Sequence, residues 1–219
     1  MGKVIADVQG KVKASDTSAT FEVENATSSV NYVLSKTDGS ANDHLKTDGS
    51  GNLAWVTAPS GGLSTFSQWR MYQDYTGAVT PIPSSHLEEV DNPTGFGKKG
   101  SSMTESAGVF QFPSTGYWLI KFHILFQGAS NSVYNKFKIE TTVDHSSGPT
   151  WAVACESSGA TGAASQEQGQ TTEYIFAVTD RTERRCRFVL GPYDNSGTIA
   201  KGHSDLNETF FTFMKLADI

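Results

Sequence analysis

The strongest pattern of apolar residues lies between Gly108 and Phe126, where Pro113 and Gly116 separate two apolar runs. Proline has no amide donor and suits the end of a strand, while glycine accepts backbone conformations closed to other residues. A period of two after this turn predicts a long β-strand with one buried face. The residues of that face are Trp118, Ile120, Phe122, Ile124 and Phe126.

The opposite face of this predicted strand is also largely apolar. Tyr117, Leu119 and Leu125 share it with Lys121 and His123. A strand with apolar residues on both faces is typical of one that is covered on both sides. We expect a second sheet to cover one face, and another copy of the same chain is a candidate for the other.

Further runs predict the rest of an all-β domain. Residues 133–143 alternate between apolar and polar side chains, which indicates a strand with one wet face, and residues 151–155 form another apolar run. Residues 172–179 and 184–190 flank Asp180–Glu183, and we interpret them as a β-hairpin. Short strands with turn signals between them, and few helix-period patterns, place the chain in the all-β class.

Two polar stretches, residues 157–170 and 194–205, are predicted to be long loops. Loops at the tip of a domain commonly carry recognition, because they are exposed and tolerate variation. Trp151 and Tyr193 are candidate glycan contacts near these loops, since flat aromatic rings can cover the face of a sugar.

The last apolar run, residues 208–216, again has apolar side chains on both faces. Phe210 and Met214 share one face, and Phe211 and Phe213 share the other. An aromatic strand of this kind is an aggregation hazard on a single chain. We therefore expect self-association to shelter it.

The N-terminal residues have fewer apolar positions than the rest of the chain. Their apolar residues form short, weakly alternating runs that are too small to bury a core alone. Lys-Thr-Asp-Gly-Ser occurs at residues 36–40 and again at 46–50, and Asp-Gly is a strong signal for a tight turn because glycine takes the left-handed position. A joint rich in proline, serine and glycine follows at residues 59–62. The predicted organisation is an arm at 1–58, this joint, and a head at 63–219.

Composition narrows the class of protein. The chain has 219 residues, 37% of them hydrophobic, and a formal net charge of −6. This length suits one sandwich-sized domain plus an arm, and the modest negative charge argues against a nucleic-acid-binding surface. No apolar run is long enough to span a bilayer, and the start of the chain lacks the apolar core of a signal peptide. We therefore expect synthesis in a cytoplasm.

Candidate chemistry is sparse. The sequence has no nucleophile elbow, no H-E-x-x-H and no phosphate-binding glycine loop, so we predict no catalytic residue, no metal site and no cofactor. Cys155 and Cys186 either pair or remain reduced, and the missing secretory signal favours reduced thiols. The arginines between residues 181 and 187 either bind an anion or, the favoured interpretation, form ion pairs between chains.

The spacing G-x-F-x-x-P-x-x-G-x-W-x-I from Gly108 to Ile120 resembles the globular head of complement's first component and the wider tumour-necrosis-factor-like group. The resemblance implies an antiparallel jelly-roll sandwich of ten strands that assembles as a compact homotrimer. In that family the closing strand lies centrally in the inner sheet, and its outward side lines the three-fold axis. The residues we assign on this basis to the trimer interface are Tyr117, Leu119, His123, Leu125, Phe211 and Phe213.

A second resemblance covers Asn31 to Trp55. This segment resembles a module of bacteriophage tail fibres and other virion appendages, in which a tyrosine-leucine strand, two Asp-Gly turns and a Leu-x-Trp strand precede a C-terminal head. Ser35 departs from the pattern, because the family usually has proline there. The matching residues are Tyr32, Leu34, Asp38, Gly39, Leu45, Asp48, Gly49, Leu53 and Trp55.

The resemblances imply a structural component of a bacteriophage particle, made in the host cytoplasm and located in the virion. The first interpretation is a trimeric surface appendage whose arm docks on other virion proteins, capsid or tail, and whose head projects outward towards host surface polysaccharide. The alternative is a capsid decoration protein that stabilises the capsid lattice, and a glycan depolymerase is a remote third. We expect no enzyme activity, no nucleic-acid partner and no insertion into a membrane.

Overall fold

The computed structural model describes residues 20–22, 31–33, 38–57 and 62–219. The chain divides into two compact units, Met1–Gly61 and Gly62–Ile219. Leu34 of the arm motif and residues 59–61 of the predicted joint lie outside the described residues. Within the described part, no helix is long and apolar enough to cross a membrane.

The described residues form β-strands and two short 3₁₀ turns, at Ser84–His86 and His145–Ser147. The strands in chain order are β1 (Thr20–Glu22), β2 (Asn31–Val33), β3 (Asp43–Thr47), β4 (Leu53–Thr57), β5 (Phe66–Met71), β6 (Tyr75–Thr76), β7 (Leu87–Glu89), β8 (Thr104–Ser106), β9 (Val109–Gln111), β10 (Gly116–Gln127), β11 (Ser132–Thr142), β12 (Ala152–Thr161), β13 (Glu167–Val178), β14 (Arg185–Tyr193), β15 (Ile199–Ala200) and β16 (Phe210–Ala217).

The first unit contains two antiparallel strand pairs, β1 with β2 and β3 with β4. The β3–β4 turn is held by Asp48, whose Oδ1 accepts hydrogen bonds from the Ser50 and Asn52 amides at 2.7 and 3.1 Å. Its Oδ2 accepts from Asn52 Nδ2 at 2.6 Å, and these bonds, led by the one from the Asn52 side chain, lower the pKa of Asp48. The carboxylate therefore organises a tight turn of the predicted kind.

The two Asp-Gly pairs of the arm use glycine for different reasons. Gly49 has φ +81°, the left-handed conformation that the turn signal predicted. Gly39 is absent from that region of conformational space, and a β-carbon on it would lie 2.7 Å from the indole of Trp55. The prediction of a left-handed glycine is wrong at Gly39, where glycine instead makes room for the tryptophan ring.

The second unit is a sandwich of two antiparallel sheets. The larger, the seven-stranded sheet, has the order β7-β5-β16-β10-β13, and the short strands β15 and β6 extend it beside the far end of β10. The five-stranded sheet has the order β12-β11-β14-β9-β8. This is the antiparallel jelly roll that the sequence predicted.

Strand β10 is the centre of the seven-stranded sheet. It pairs with β13 along its whole length, from Gly116–Val178 to Gln127–Glu167, and with β16 from Tyr117 to His123. As in any extended strand, successive side chains of β10 point alternately inward and outward. The inward residues, each at most 1% exposed as the alternation predicted, are Trp118, Ile120, Phe122, Ile124 and Phe126.

Phenylalanine rings fill the space between the two sheets. Phe188 of β14 stacks on Phe211 of β16 with ring centroids 4.0 Å apart. The same ring makes edge-on contacts with Phe110 at 5.4 Å and Phe122 at 5.1 Å. Aromatic pairs favour stacked and edge-on geometries, so these contacts add to the free energy gained by burial and join the sheets.

The long polar loop predicted at residues 157–170 is wrong. Most of it belongs to strands β12 and β13, and only residues 162–166 connect them. Serine, glycine and glutamine have weak strand propensity, so the pattern indicated a loop. Backbone pairing with β11 and β10 supplies the strand structure instead. The predicted loop at 194–205 is likewise interrupted, by β15.

The hairpin predicted from residues 172–179 and 184–190 is also wrong. These runs form β13 and β14, but β13 pairs with β10 in one sheet and β14 pairs with β11 and β9 in the other. The intervening residues therefore cross from one sheet to the other. A short connection between two strands resembles a hairpin in sequence even when the strands lie in facing sheets.

Replacing Phe188 by alanine tests the aromatic core. We expect Phe188→Ala to lower the free energy of unfolding by about 3–5 kcal/mol, because it removes a ring that contacts both sheets and leaves a cavity. Phe96→Ala is the matched control, since Phe96 is 45% exposed, and should change stability little. Urea unfolding followed by tryptophan fluorescence gives both values, and equal effects would contradict this account of the core.

Candidate interaction surface

The outward face of the seven-stranded sheet carries a continuous apolar band. Leu119 of β10 pairs with Ile175 of β13 on one side and with Met214 of β16 on the other. Met214 pairs in turn with Phe66 of β5. Paired residues of neighbouring strands lie side by side on one face, so these four form a band across four strands, here called the apolar row.

The apolar row is only partly covered within one chain. Ile175 is 56% exposed, and Tyr117, two residues before Leu119 on the same face, is 44% exposed. The other three members of the row are half-buried. Covering such surface contributes about 25 cal/mol per Å². A contiguous apolar band on the outside of a sandwich is typical of an interaction surface.

A polar row runs beside the apolar row. Lys121 Nζ lies 3.9 Å from Glu173 Oε2, and Gln68 Nε2 donates a hydrogen bond to Thr212 Oγ1 at 3.0 Å. These groups have partners within the chain, so covering the face does not require a second molecule to supply them. Exposed ion pairs contribute little stability. The polar row is therefore better suited to orienting a molecule on this face than to binding it tightly.

His123 lies in the next row, half-buried on β10. Its Nδ1 is 2.8 Å from Thr171 Oγ1, and its ring centroid is 4.9 Å from that of Phe210. Burial lowers the pKa of His123, and the positive charge of Lys121 lowers it further. Neutral histidine is therefore the favoured form at this position.

This row continues to Arg70 of β5, which is 0% exposed although it faces outward. Its guanidinium donates hydrogen bonds to Glu88 at 2.7 Å, to Asp91 at 2.9 Å and to the carbonyl of Asn92 at 3.0 Å. Strand β7 and the residues after it thus cover one side of the outward face. Nothing in the apolar pattern indicated this ion-pair network.

Of the residues assigned to self-association from the sequence, those on the outward face are Tyr117, Leu119, His123 and Leu125. Phe211 and Phe213 were assigned wrongly, because both are 0% exposed in the core of a single chain. The pairing register decides this: Phe211 lies beside Phe122 and Phe213 beside Ile120, whose side chains point inward.

Four apolar residues on the outward face were missing from that assignment: Phe66, Ile175, Phe210 and Met214. The alternation in β16 had separated Phe210 and Met214 from the two buried phenylalanines, but it does not tell which set faces outward. Only the register between β10 and its neighbours supplies that information, and the sequence alone does not fix it.

Trp151 lies on the other side of the sandwich, before β12. It is half-buried, and the Arg187 guanidinium lies 4.2 Å from its ring centroid while also pairing with Glu140 at 2.7 Å. An open recess of about 350 Å³ adjoins this pair, lined by Glu140 together with Val79, Lys138 and Pro192. Glu140 thus lines the recess and pairs with the arginine that contacts the Trp151 ring, while the ring itself is not part of the lining.

Tyr193 does not provide a sugar-stacking surface, and its assignment as a glycan contact is wrong. Its ring packs edge-on against Phe126 at 5.7 Å, inside the sandwich, and its hydroxyl is buried. Burial raises the pKa of Tyr193. The strand β14 extends further than predicted, so the residue lies in a strand, half-buried against the core, instead of in a loop.

The arginine cluster makes its contacts within the chain. Arg185 donates to the Arg184 carbonyl at 3.1 Å, and Arg184 donates to Thr179 Oγ1 at 2.7 Å. Arg181 donates to the Pro113 carbonyl at 3.3 Å. Arg187 has Glu140 as its acidic partner. These arginines thus brace the turn between the two sheets, a role that neither sequence interpretation included.

Cys155 and Cys186 are free thiols. Cys186 is fully buried and Cys155 is half-buried, and burial raises the pKa of each thiol. Among the residues that the structure describes, no group of three or more histidine, cysteine or acidic side chains is arranged to hold a metal ion.

Solved structures with a similar fold include murine APRIL and Eiger TNF. The crystal structure of murine APRIL at pH 5.0 gives a TM-score of 0.50 at 9% sequence identity, covering 69% of this chain and 98% of that chain. The structure of Eiger TNF from S. frugiperda gives 0.51 at 9% identity, covering 72% and 96%. At this identity the likeness shows the fold alone, a tumour-necrosis-factor-like jelly roll. No family model matches the chain, and no curated protein sequence matches it.

The environment of His123 predicts a pH dependence. Because its folded-state pKa lies below the ordinary 6.5, the stability it contributes is full above that value and is lost as pH falls through the lowered pKa. We expect His123→Asn to lose less stability than the original protein between about pH 7.5 and about pH 5. His86, whose pKa burial also lowers, should retain part of the slope.

Urea unfolding at one fixed protein concentration gives the free energy of unfolding of each protein at each pH, and so the slope of that free energy against pH. Lys121→Met is the companion variant: it removes the charge but keeps the burial, so it should reduce the slope less than His123→Asn does. Identical pH slopes for His123→Asn and the original protein would contradict the assignment.

Proposed function

We propose that this chain is a structural component of a bacteriophage particle, a homotrimeric surface appendage with an attachment arm at residues 1–58 and an outward-projecting head at 63–219. The observation that carries the proposal is the apolar row on the outward face of the seven-stranded sheet. Ile175 in this row is more than half exposed in one chain. A second copy is the partner that we propose for this face.

Self-association suits the chemistry of this face. Its apolar groups gain free energy when covered, while Lys121, Glu173, Gln68 and Thr212 are already paired within the chain. Three copies around one axis form a closed assembly, so the contact does not propagate into a fibre. The jelly-roll fold of the head is consistent with such an assembly.

The arm supports the assignment to a virion. Residues 31–55 resemble the bacteriophage appendage module, and the β3–β4 hairpin presents Leu45 and Trp55, which are 40% and 37% exposed. A two-stranded hairpin is marginally stable in water by itself. We propose that three arms shelter one another or bind a virion protein through these side chains.

The second candidate function is capsid decoration. The sequence places only residues 59–62 between the predicted arm and head, so it supplies no long shaft of the kind that would carry a head away from the particle. A decoration protein would cover the whole capsid surface in many copies, whereas a tail appendage would be present in few. Quantitative mass spectrometry of purified particles distinguishes the two.

We propose a binding role for the head instead of a catalytic one. The candidate contact is Trp151, whose ring contacts Arg187, and the Glu140 partner of that arginine lines the recess together with Lys138. A sugar can place its apolar face on an aromatic ring and its hydroxyl groups on the adjoining charged side chains. Host surface polysaccharide is the partner we propose for this side of the head.

An acidic residue in the apolar row tests the self-association face. We expect Ile175→Asp to yield single chains at micromolar concentration, because assembly would bury a charge that has no partner. Val143→Asp is the matched control: Val143 is 55% exposed but follows β11 of the five-stranded sheet, so the assembly should persist. Sedimentation velocity measures both, and an unchanged mass for Ile175→Asp would exclude this face as the interface.

Removal of the arm tests whether the arm supplies attachment to the particle while the head supplies self-association. We expect a chain that begins at Gly62 to self-associate but to be lost from particles assembled in infected cells, because the arm supplies attachment. The full-length chain is the control. Detection of equal amounts of both chains in purified particles would refute the role of the arm in attachment. Loss of self-association in the shortened chain would show that the arm, and not the head, holds the trimer together.

A further inference from the structure

The pentapeptide Lys-Thr-Asp-Gly-Ser occurs twice in the arm, at residues 36–40 and 46–50. Asp-Gly is the dipeptide most open to rearrangement into isoaspartate, because glycine has no side chain to hinder the approach of its amide nitrogen to the preceding carboxyl group. The five residues are identical in the two copies. A difference in reactivity between the copies would therefore come from the structure around them.

In the first copy, the carboxylate and the attacking nitrogen are in contact. The Gly39 amide donates a hydrogen bond to Asp38 Oδ1, with nitrogen and oxygen 3.2 Å apart. The atom that is attacked, Asp38 Cγ, is bonded directly to this oxygen, and a rotation of the side chain turns it towards the nitrogen. Groups about 3–3.5 Å apart are close enough to react when they are aligned. Asp38 is also exposed, so water reaches any product of ring closure.

In the second copy, other partners engage the same two groups. The Gly49 amide donates to Thr47 Oγ1 at 3.1 Å instead of to the preceding carboxylate. Asp48 Oδ1 accepts from the amides of Ser50 and Asn52 at 2.7 and 3.1 Å, and its Oδ2 accepts from Asn52 Nδ2 at 2.6 Å. Rotation of this carboxylate towards Gly49 would break these hydrogen bonds, which are strong because the acceptor is charged.

The charge of the Asp48 carboxylate protects it further. The hydrogen bond from the Asn52 side chain, followed by that from the Ser50 amide, lowers the pKa of Asp48. Closure of the ring expels the carboxyl hydroxyl as water, which requires the neutral acid. A carboxylate that stays ionised at neutral pH therefore reacts slowly.

We infer that Asp38 is a site of spontaneous isoaspartate formation, whereas the folded turn protects Asp48 in the identical pentapeptide. The Gly39 nitrogen forms a bond to Asp38 Cγ, and the carboxyl hydroxyl leaves with the amide proton as water. A water molecule then opens the succinimide ring. Opening at Cγ restores aspartate, and opening at the backbone carbonyl carbon of Asp38 gives isoaspartate, in which the chain runs through Cβ and Cγ. No oxidant or reductant takes part.

The rearrangement lengthens the backbone beside Trp55. Gly39 lies directly against this ring, since a β-carbon on it would be 2.7 Å from the indole. Isoaspartate adds one backbone carbon between residues 38 and 39, so Gly39 must shift relative to the ring. The modification therefore changes how the segment before β3 packs on the β3–β4 hairpin.

Incubation of the full-length protein at neutral pH, in water enriched in heavy oxygen, tests the site. Trypsin places the two Asp-Gly pairs in separate peptides, residues 37–46 and 47–70. Hydrolysis of the succinimide inserts one heavy oxygen atom, and fragmentation by electron transfer locates isoaspartate within each peptide. We expect isoaspartate to form about tenfold faster at Asp38 than at Asp48, because only the first carboxyl group is placed against its nitrogen.

Protein unfolded in urea is the control for this measurement. Without the folded turns, the two identical pentapeptides should react at similar rates. Equal rates at Asp38 and Asp48 in the folded protein would overturn the inference. A difference that persists in urea would overturn it as well, because that difference would not come from the structure.

Two substitutions test the assigned atoms. Asn52→Ala removes the Nδ2 hydrogen bond to Asp48, so the rate at Asp48 should rise severalfold while the rate at Asp38 in the same molecule stays unchanged. Asp38→Glu should abolish isoaspartate in residues 37–46, because a longer side chain closes a less favourable ring. An unchanged rate at Asp48 in the first variant would contradict the protection. Isoaspartate that persists in residues 37–46 of the second would place the reaction at another residue.

Discussion

Pairing of β10 along both of its edges is the constraint on which the head depends. With β13 on one side and β16 on the other, the strand cannot rotate, and its side chains must alternate between two surroundings. The inward set meets phenylalanines of the facing sheet and is completely buried. The outward set meets only its neighbours in the same sheet, so the apolar row remains partly exposed.

The two faces of this strand therefore differ in role: the inner face stabilises the sandwich, and the outer face is the one that we propose for self-association. Inside, Phe188 and Phe211 bring the sheets together and give the sandwich its stability. Outside, Ile175 is mostly exposed and Leu119 is half-buried, so a single chain covers their apolar surface only in part. The ion pair between Lys121 and Glu173 and the buried network around Arg70 frame this surface with polar groups that are already paired. Because these charged groups are already paired, the proposed contact with a second copy would not bury a charge that lacks a partner.

The sequence could predict the strands that obey a simple alternation. The apolar face of β10 and the half-polar pattern of β11 required only a period of two, and the resemblance around Gly108–Ile120 indicated the jelly roll. The parts of β12 and β13 next to their connection, residues 157–161 and 167–170, escaped prediction because their inner face is polar where Gln168 faces Gly159. Pairing with neighbouring strands, and not local propensity, makes them strands.

Register is the second quantity that the sequence left undetermined. The alternation of β16 grouped Phe211 with Phe213 correctly, but only the pairing of Phe211 with Phe122 shows that this group faces the core. Ile175 was missed for the same reason, because the register between β10 and β13 was unknown. Its pairing partner Leu119 had been assigned to the outward face, where the structure places it. A one-residue shift would exchange every inward and outward side chain, so assignments of faces need one fixed pair as well as a pattern.

Sedimentation velocity of the full-length protein at micromolar concentration tests the central claim most directly. The account predicts a single species with three times the mass of one chain, because the apolar row on the outward face of the seven-stranded sheet gains free energy when it is buried between copies. A stable, monodisperse single chain under these conditions would contradict it.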